Sequence, residues 1–169
     1  VIDGQQRITT LSIFLACIFQ KLTASKELFK DDDDLYSSYL NLRRELISKT
    51  DDRNMPRLYP QIQHENQADY FAILTDVGLL EGYSKKSFAR KRKLYRAFER
   101  FNNLNEGLIN DKVGLSDEKK YKVLFELLKK FNSAMVVSID FDSAKDAYML
   151  FESLNNRGVP LSSIDLIKN

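Results

Sequence analysis

Residues that break regular structure are rare in this chain: 6 glycines and 3 prolines in 169 residues. Long uninterrupted stretches can therefore stay helical, and helices are expected to dominate. From Gln6 onward Ile8, Leu11, Phe14, Leu15, Ile18 and Leu22 recur at helical spacing. So few polar residues interrupt them that this helix is expected to be central. Its longest apolar run, Leu11 to Phe19, falls short of the roughly 20 residues of a membrane helix. No membrane partner and a cytoplasmic location are the default expectations, since no secretory signal is visible.

A second helix is expected after Asp31–Asp34, through Leu35, Tyr39, Leu46 and Ile47, ending near Asp51-Asp52. Acidic residues are favourable at a helix N-terminus. Pro56 to Pro60 reads as a short edge strand, because proline cannot donate to a ladder. Further helices are expected over Asn66–Thr75, over Ser84–Asn105 with Phe98, Phe101 and Leu104 inward, and from Ser116 through Phe131. Met135, Val137, Ile139 and Phe141 alternate as in a half-buried strand. Ala144 to Asn155 is a helix closed by Asn156-Arg157-Gly158. Ser162 with Asp165 opens another in a capping-box-like pattern.

The charge balance, 26 basic against 24 acidic residues, excludes a wholly basic nucleic-acid tail but not a local patch. The single Cys17 and single His64 exclude an internal disulfide and a Cys- or His-based zinc site. Magnesium held by carboxylates stays open. Cys17 lies within the apolar run and reads as core packing.

Val1-Ile2-Asp3-Gly4-Gln5-Gln6-Arg7 reads as strand, tight turn and helix start. Gly4 permits a positive φ and close backbone approach. Unpaired first-turn amides make such a junction an anion site. Arg7 in a first turn opposes the helix dipole by roughly 0.3–1 kcal/mol. A bound anion reverses that sign, and arginine offers a phosphate bidentate donors. Thr9 and Thr10 add hydroxyls. Asp3 repels phosphate and fits best as a Mg²⁺ ligand or a group orienting water. On spacing alone the alternative stands beside this: Asp3 caps the helix and Arg7 pairs with a surface carboxylate.

Ile2-Asp3-Gly4-Gln5-Gln6-Arg7-Ile8-Thr9-Thr10-Leu11 closely resembles the signature of the DUF262 family, the N-terminal domains of GmrSD-type modification-dependent restriction enzymes and related anti-phage proteins. Phe151-Glu152-Ser153-Leu154-Asn155-Asn156-Arg157-Gly158-Val159-Pro160-Leu161-Ser162, followed by Asp165-Leu166-Ile167-Lys168-Asn169, resembles that family's other conserved block. Arg57-Leu58-Tyr59-Pro60 stands in the place of a weaker middle block. The resemblance implies an α+β, predominantly helical fold: a small ParB-like strand–turn–helix core elaborated by a helical bundle. It implies that a nucleoside triphosphate and Mg²⁺ are bound, and the triphosphate hydrolysed in the full-length protein. Catalytic roles would fall to Asp3 and Arg7, metal binding to Asp3, and nucleotide contacts to Gly4, Gln5, Gln6, Arg7, Thr9, Thr10, Asn155 and Arg157. In sulfiredoxin the matching turn carries a cysteine nucleophile and a histidine; Gln5 and Gln6 stand there instead, which excludes sulfinic-acid repair. The partners implied are DNA, modified or not, and an HNH-type nuclease domain, fused or separate. Residues 1–169 are accordingly expected to form one domain fragment, with a strand and helix upstream and a nuclease downstream.

Eight of the 26 basic residues fall between Lys85 and Arg100. Arg92, Arg96 and Arg100 repeat every four residues and form a ridge that could follow a DNA backbone. The alternative for this stretch is a solvated helix face paired with acidic neighbours. A non-enzymatic DNA-binding or protein-interaction module built on this basic helix is the second functional expectation.

Overall fold

The computed structural model describes residues 4–50, 53–60, 65–83, 92–110, 117–135 and 142–155. It is predominantly helical with a small antiparallel sheet: α1 (Gly4–Ala24), α2 (Asp33–Leu46), β1 (Ile47–Thr50), β2 (Arg53–Pro56), α3 (Asn66–Asp76), α4 (Lys93–Asn110), α5 (Asp117–Asn132) and α6 (Ala144–Asn155). Two compact units are distinguished, Asp3–Ala134 and Met135–Asn169.

In the first unit α1 is the central element, packed against α2, α3, α4 and α5. Ile13, Ala16, Cys17, Ile18 and Leu22 are fully buried. Taken from Gln5 to Ala24, the helix is long and apolar enough to cross a membrane by length and composition, longer than the apolar run alone suggests. Its buried half lies instead in the core of the bundle. Ile8 and Leu11, expected inward, are 52% and 44% exposed. The inward stripe of the first turns is Gln5, Thr9 and Ile13. Helical geometry then leaves Ile8 and Leu11 on the flank.

Phe29 ties three elements together. It follows a 3-10 turn (Lys26–Leu28) and is 1% exposed. Its ring meets Phe125 edge-on at 5.1 Å and packs against Tyr39 and Tyr121. Tyr39 in turn stacks on Phe19 of α1 at 5.1 Å. Such ring pairs add roughly 0.5–1.5 kcal/mol each beyond the area they bury.

The aspartate run does what a helix start requires. Asp32 is the N-cap, its carboxylate accepting from the Leu35 amide at 3.1 Å, and Asp33 and Asp34 occupy the first turn. Arg43 and Arg44 stand in the last turn, where a cation complements the dipole. The helix stops at Leu46, short of the expected end near 51–52: Ile47 is extended (φ −133°, ψ 152°) and begins β1. β1 and β2 pair with Ile47 opposite Pro56 and Thr50 opposite Arg53. The Arg57 amide continues the ladder to the Leu46 carbonyl. The expected strand at 56–60 thus lies earlier, at 53–56, because its partner is the end of α2's own chain.

α3 is short but deeply placed, with residues Asp69 to Leu74 all buried. Gly78 follows it in the left-handed region, with φ at 79°. A glycine there turns the chain back at a helix end. The amides of Leu79 and Leu80 then bond to the Leu74 carbonyl, and both side chains are buried. α4 turns Tyr95, Phe98 and Asn105 inward; Leu104, expected inward, is 53% exposed. The stripe descending from Phe98 passes through residues 101, 102 and 105, so Asn105 takes the core position and Leu104 the flank. α5 buries Tyr121, Leu124, Phe125 and Leu128 as its spacing predicts. Met135, expected to begin a half-buried strand, is 97% exposed and lies in no strand; the rest of that expected strand (136–141), the expected opening strand at Val1-Ile2, residues 84–91 of the expected basic helix and the expected last helix lie outside the described residues.

In the second unit α6 starts with a serine side-chain cap. Ser143 Oγ accepts from the Asp146 amide at 3.2 Å and donates to the Asp146 carboxylate at 2.7 Å.

Removing the aromatic hub is expected to be costly. Phe29→Ala should lower unfolding free energy by about 3–5 kcal/mol. Asp32→Ala, which removes only the cap, should cost about 1 kcal/mol. Denaturant titration of both variants checks the ranking.

Candidate functional site

The described first turn of α1, from Gly4 onward, holds no acidic residue of its own. The helix already includes Gly4 and Gln5, two residues earlier than the pattern predicts. Asp3 lies outside the described residues. The candidate residues divide by face. Thr9 is 5% exposed and points inward; its hydroxyl donates to the Gln5 carbonyl at 2.7 Å. Thr10 is exposed, and its hydroxyl donates to the Gln6 carbonyl at 2.8 Å. Both hydroxyls spend their proton within the helix and keep lone pairs only. They are therefore acceptors toward anything bound outside, and neither strengthens a phosphate site by donation. Gln6 and Arg7 are exposed, and Arg7 makes an interaction of its own.

Gln5 carries the clearest mark of a site. Its side-chain Oε1 is buried and has no hydrogen-bond partner among the described residues. A buried amide oxygen without a donor costs roughly 1–3 kcal/mol. A ribose hydroxyl, a base amino group or water could supply that donor; a deprotonated phosphate could not. Among the described residues no group of three acidic, cysteine or histidine side chains could hold a metal ion.

Below this turn the core is inert chemically. Burial pushes the Cys17 thiol from 9.0 up to about 12, with the charge of Lys21 opposing weakly. Its Sγ donates to the Phe98 carbonyl at 3.6 Å. Burial also raises the phenol of Tyr70, partly offset by its bond to Ser12. Asn155 is the last residue of α6 with its side chain undescribed, and Arg157 lies beyond the described residues.

The basic ridge separates into two kinds of arginine. Arg92 is ion-paired to Asp69 at 2.9 Å and to Glu65. Asp69 is 2% exposed, so this guanidinium answers a carboxylate that water does not reach. Desolvation works against the charged form of Arg92, but its two carboxylates outweigh it and its pKa is raised. Arg96 and Arg100 are exposed on α4. Sequence spacing puts all three on one ridge, and it has no means of showing that Asp69, on a different helix, holds the first.

A second basic surface escapes sequence reading. Arg53, Arg57 and Tyr59, with Ser48, Thr50, Met55 and Pro56 between them, line an open depression of about 770 Å³ on the β1–β2 hairpin. Only the pairing register reveals it, since the pattern predicts helix over Ile47 and no strand over 53–55.

The family model of the GmrSD restriction endonuclease N-terminal domain matches residues 1–169. No curated protein and no solved structure matches the chain.

Two measurements check these assignments. Arg92→Ala should lower the melting temperature, because it removes the guanidinium paired with the buried Asp69 carboxylate, whereas Arg96→Ala should leave it within error of wild type. Cys17 should resist thiol reagents until the protein unfolds. Its stability contribution should fall as pH rises from 9.0 toward about 12. In that window the unfolded chain has lost a proton that the folded chain retains.

Proposed function

We propose that this chain, which belongs to the family of GmrSD restriction endonuclease N-terminal domains, is the nucleoside-triphosphate-binding regulatory domain of a modification-dependent restriction or anti-phage endonuclease acting on DNA in the cytoplasm. The observation that carries the reading is the composition of α1's first turn. It combines an exposed arginine, placed where the helix dipole disfavours a cation, with a buried glutamine oxygen that lacks a donor among the described residues. An anion at this end is favoured by the helix dipole and by Arg7 together. Gln5 would accept from the sugar or base, and Gln6 and Arg7 would meet the phosphates. Thr9 and Thr10, their protons committed to the helix, would shape the site rather than donate to it. Asp3, Asn155 and Arg157 are the further site residues that the family resemblance implies. Mg²⁺, when bound, would neutralise phosphate charge and polarise the bond to be broken. Nucleotide binding would control an HNH-type nuclease domain, fused or separate, by favouring one conformation over another.

A second reading stays attached to one observation. Arg96 and Arg100 are exposed, four residues apart on α4, and form no ion pair among the described residues. They would suit DNA phosphates. The ridge is then two arginines long, with Arg92 holding it to α3.

Calorimetry of the intact protein with ATP, GTP and their magnesium complexes tests the leading reading. Arg7→Ala is expected to weaken triphosphate binding by about tenfold or more, the loss of a charge-assisted hydrogen bond. Asp3→Asn should retain binding and lose magnesium-dependent turnover. Wild-type affinity in Arg7→Ala would remove the proposed clamp. Steep salt dependence of DNA binding that vanishes in the Arg96→Glu, Arg100→Glu double variant would support the second reading.

A further inference from the structure

The β1–β2 hairpin shows its two faces plainly through its register. Ile47, which lies in the core, stands directly opposite Pro56, which is buried and also borders the depression. The alternating residues form the other face: Ser48 opposite Met55, and Thr50 opposite Arg53. Arg57 and Tyr59 continue the same alternation along the chain. This face is open to solvent, and the depression upon it is lined by two arginines, a serine, a threonine, a methionine, a tyrosine and the edge of Pro56, with no carboxylate in its described lining.

Each side chain has a distinct availability. Arg53 is exposed and has no ion pair among the described residues. Arg57 is fixed through its Nε, which donates to the Arg44 carbonyl, so its terminal nitrogens are presented from a held position. Tyr59 is 49% exposed while its ring is set edge-on against Phe71 at 5.5 Å and 85°. Phe71 is also packed against Tyr83 at 5.1 Å. A ring that is immobilised yet half bare is a platform on which a flat group can stack at little entropic cost.

At about 3.3 Å per residue, Arg53 and Arg57 leave the backbone roughly 13 Å apart. That spacing suits successive charges on an extended polyanion better than one phosphate. Guanidiniums, here one held and one exposed, together with a half-bare aromatic ring are the combination by which proteins track a single nucleic-acid strand, with charge on the backbone and stacking on a base.

We propose that the outward face of the β1–β2 hairpin is a docking site for a single strand of nucleic acid, with Arg53 and Arg57 meeting its phosphates and Tyr59 stacking on one of its bases. The site is separate from the first turn of α1 and from the Arg96–Arg100 pair on α4. It does not depend on nucleotide hydrolysis. Its occupant is an unpaired strand, because a base within a duplex offers no face to Tyr59.

Fluorescence anisotropy of the intact protein with a labelled single-stranded oligothymidylate tests it, with a duplex and a polyglutamate peptide as comparators. The expected result is binding to the single strand that outcompetes both. Arg53→Glu, at an exposed residue that anchors nothing in the described core, should weaken binding by about tenfold or more. Tyr59→Ala should do likewise, and Tyr59→Phe should restore most of the affinity, since stacking needs the ring and not the hydroxyl. The Arg53→Ala, Arg57→Ala pair should flatten the salt dependence by roughly 1.4, two phosphates at about 0.7 each. Equal or tighter binding of polyglutamate or duplex would overturn the assignment. So would unchanged oligothymidylate affinity in Arg53→Glu and Tyr59→Ala, or loss of that affinity only on charge reversal of Arg96 and Arg100. Triphosphate affinity measured on the same variants should equal wild type, which keeps this result distinct from any failure of the α1 site.

Discussion

The burial of one face and then the whole circumference of α1 is the constraint on which the first unit depends. Between Ile13 and Leu22 the helix meets its neighbours, and most side chains there are lost to solvent. Over its first turns only Gln5 and Thr9 face inward. A single helix therefore serves two purposes along its length. Its later half forms the centre of the core, while at its beginning Gln6 and Arg7 are exposed. The same division explains why a polar Gln5 is half-buried: it stands where the apolar stripe ends and the exposed first turn begins.

Helices are readable from the sequence wherever the apolar stripe is long and the ends are marked. The aspartate run announces α2, and Tyr121, Leu124, Phe125 and Leu128 announce α5. Pattern fails where adjacent positions compete for the interior. Leu104 is the more apolar residue, yet geometry places Asn105 in the core and leaves its amide without partners among the described residues. Rotation about the helix axis is set by all the anchors at once, and a single leucine does not override Tyr95 and Phe98. The hairpin is hidden for another reason. Ser48, Lys49 and Thr50 have no strong preference, and what makes them a strand is a partner several residues away.

The candidate site is legible in part. The first-turn pattern of Gly4 to Arg7 is readable because its logic is local: a cation where the dipole disfavours one. The orphaned oxygen of Gln5 is not, since it depends on what covers that side of the helix. Arg92 shows the limit of periodicity as evidence. Its spacing matches a DNA-tracking ridge, and its environment, a buried Asp69 on α3, makes it a structural cation. The Arg53–Arg57 face stays invisible because it takes its shape from strand register, which no one-dimensional spacing conveys.

Continuity of α1 has a mechanical consequence. The helix runs 21 residues without a kink-forming proline. At about 1.5 Å per residue it makes a stiff rod of roughly 31 Å. A rod packed against four neighbouring helices cannot yield at its first turn without either bending or sliding. Tightly packed interiors tend to answer such a load by jumping between discrete arrangements instead of deforming gradually. An axial tug on the opening turn would therefore be felt at Phe19, and through the stacked rings of Tyr39 and Phe29 at α5, far from where the force was applied.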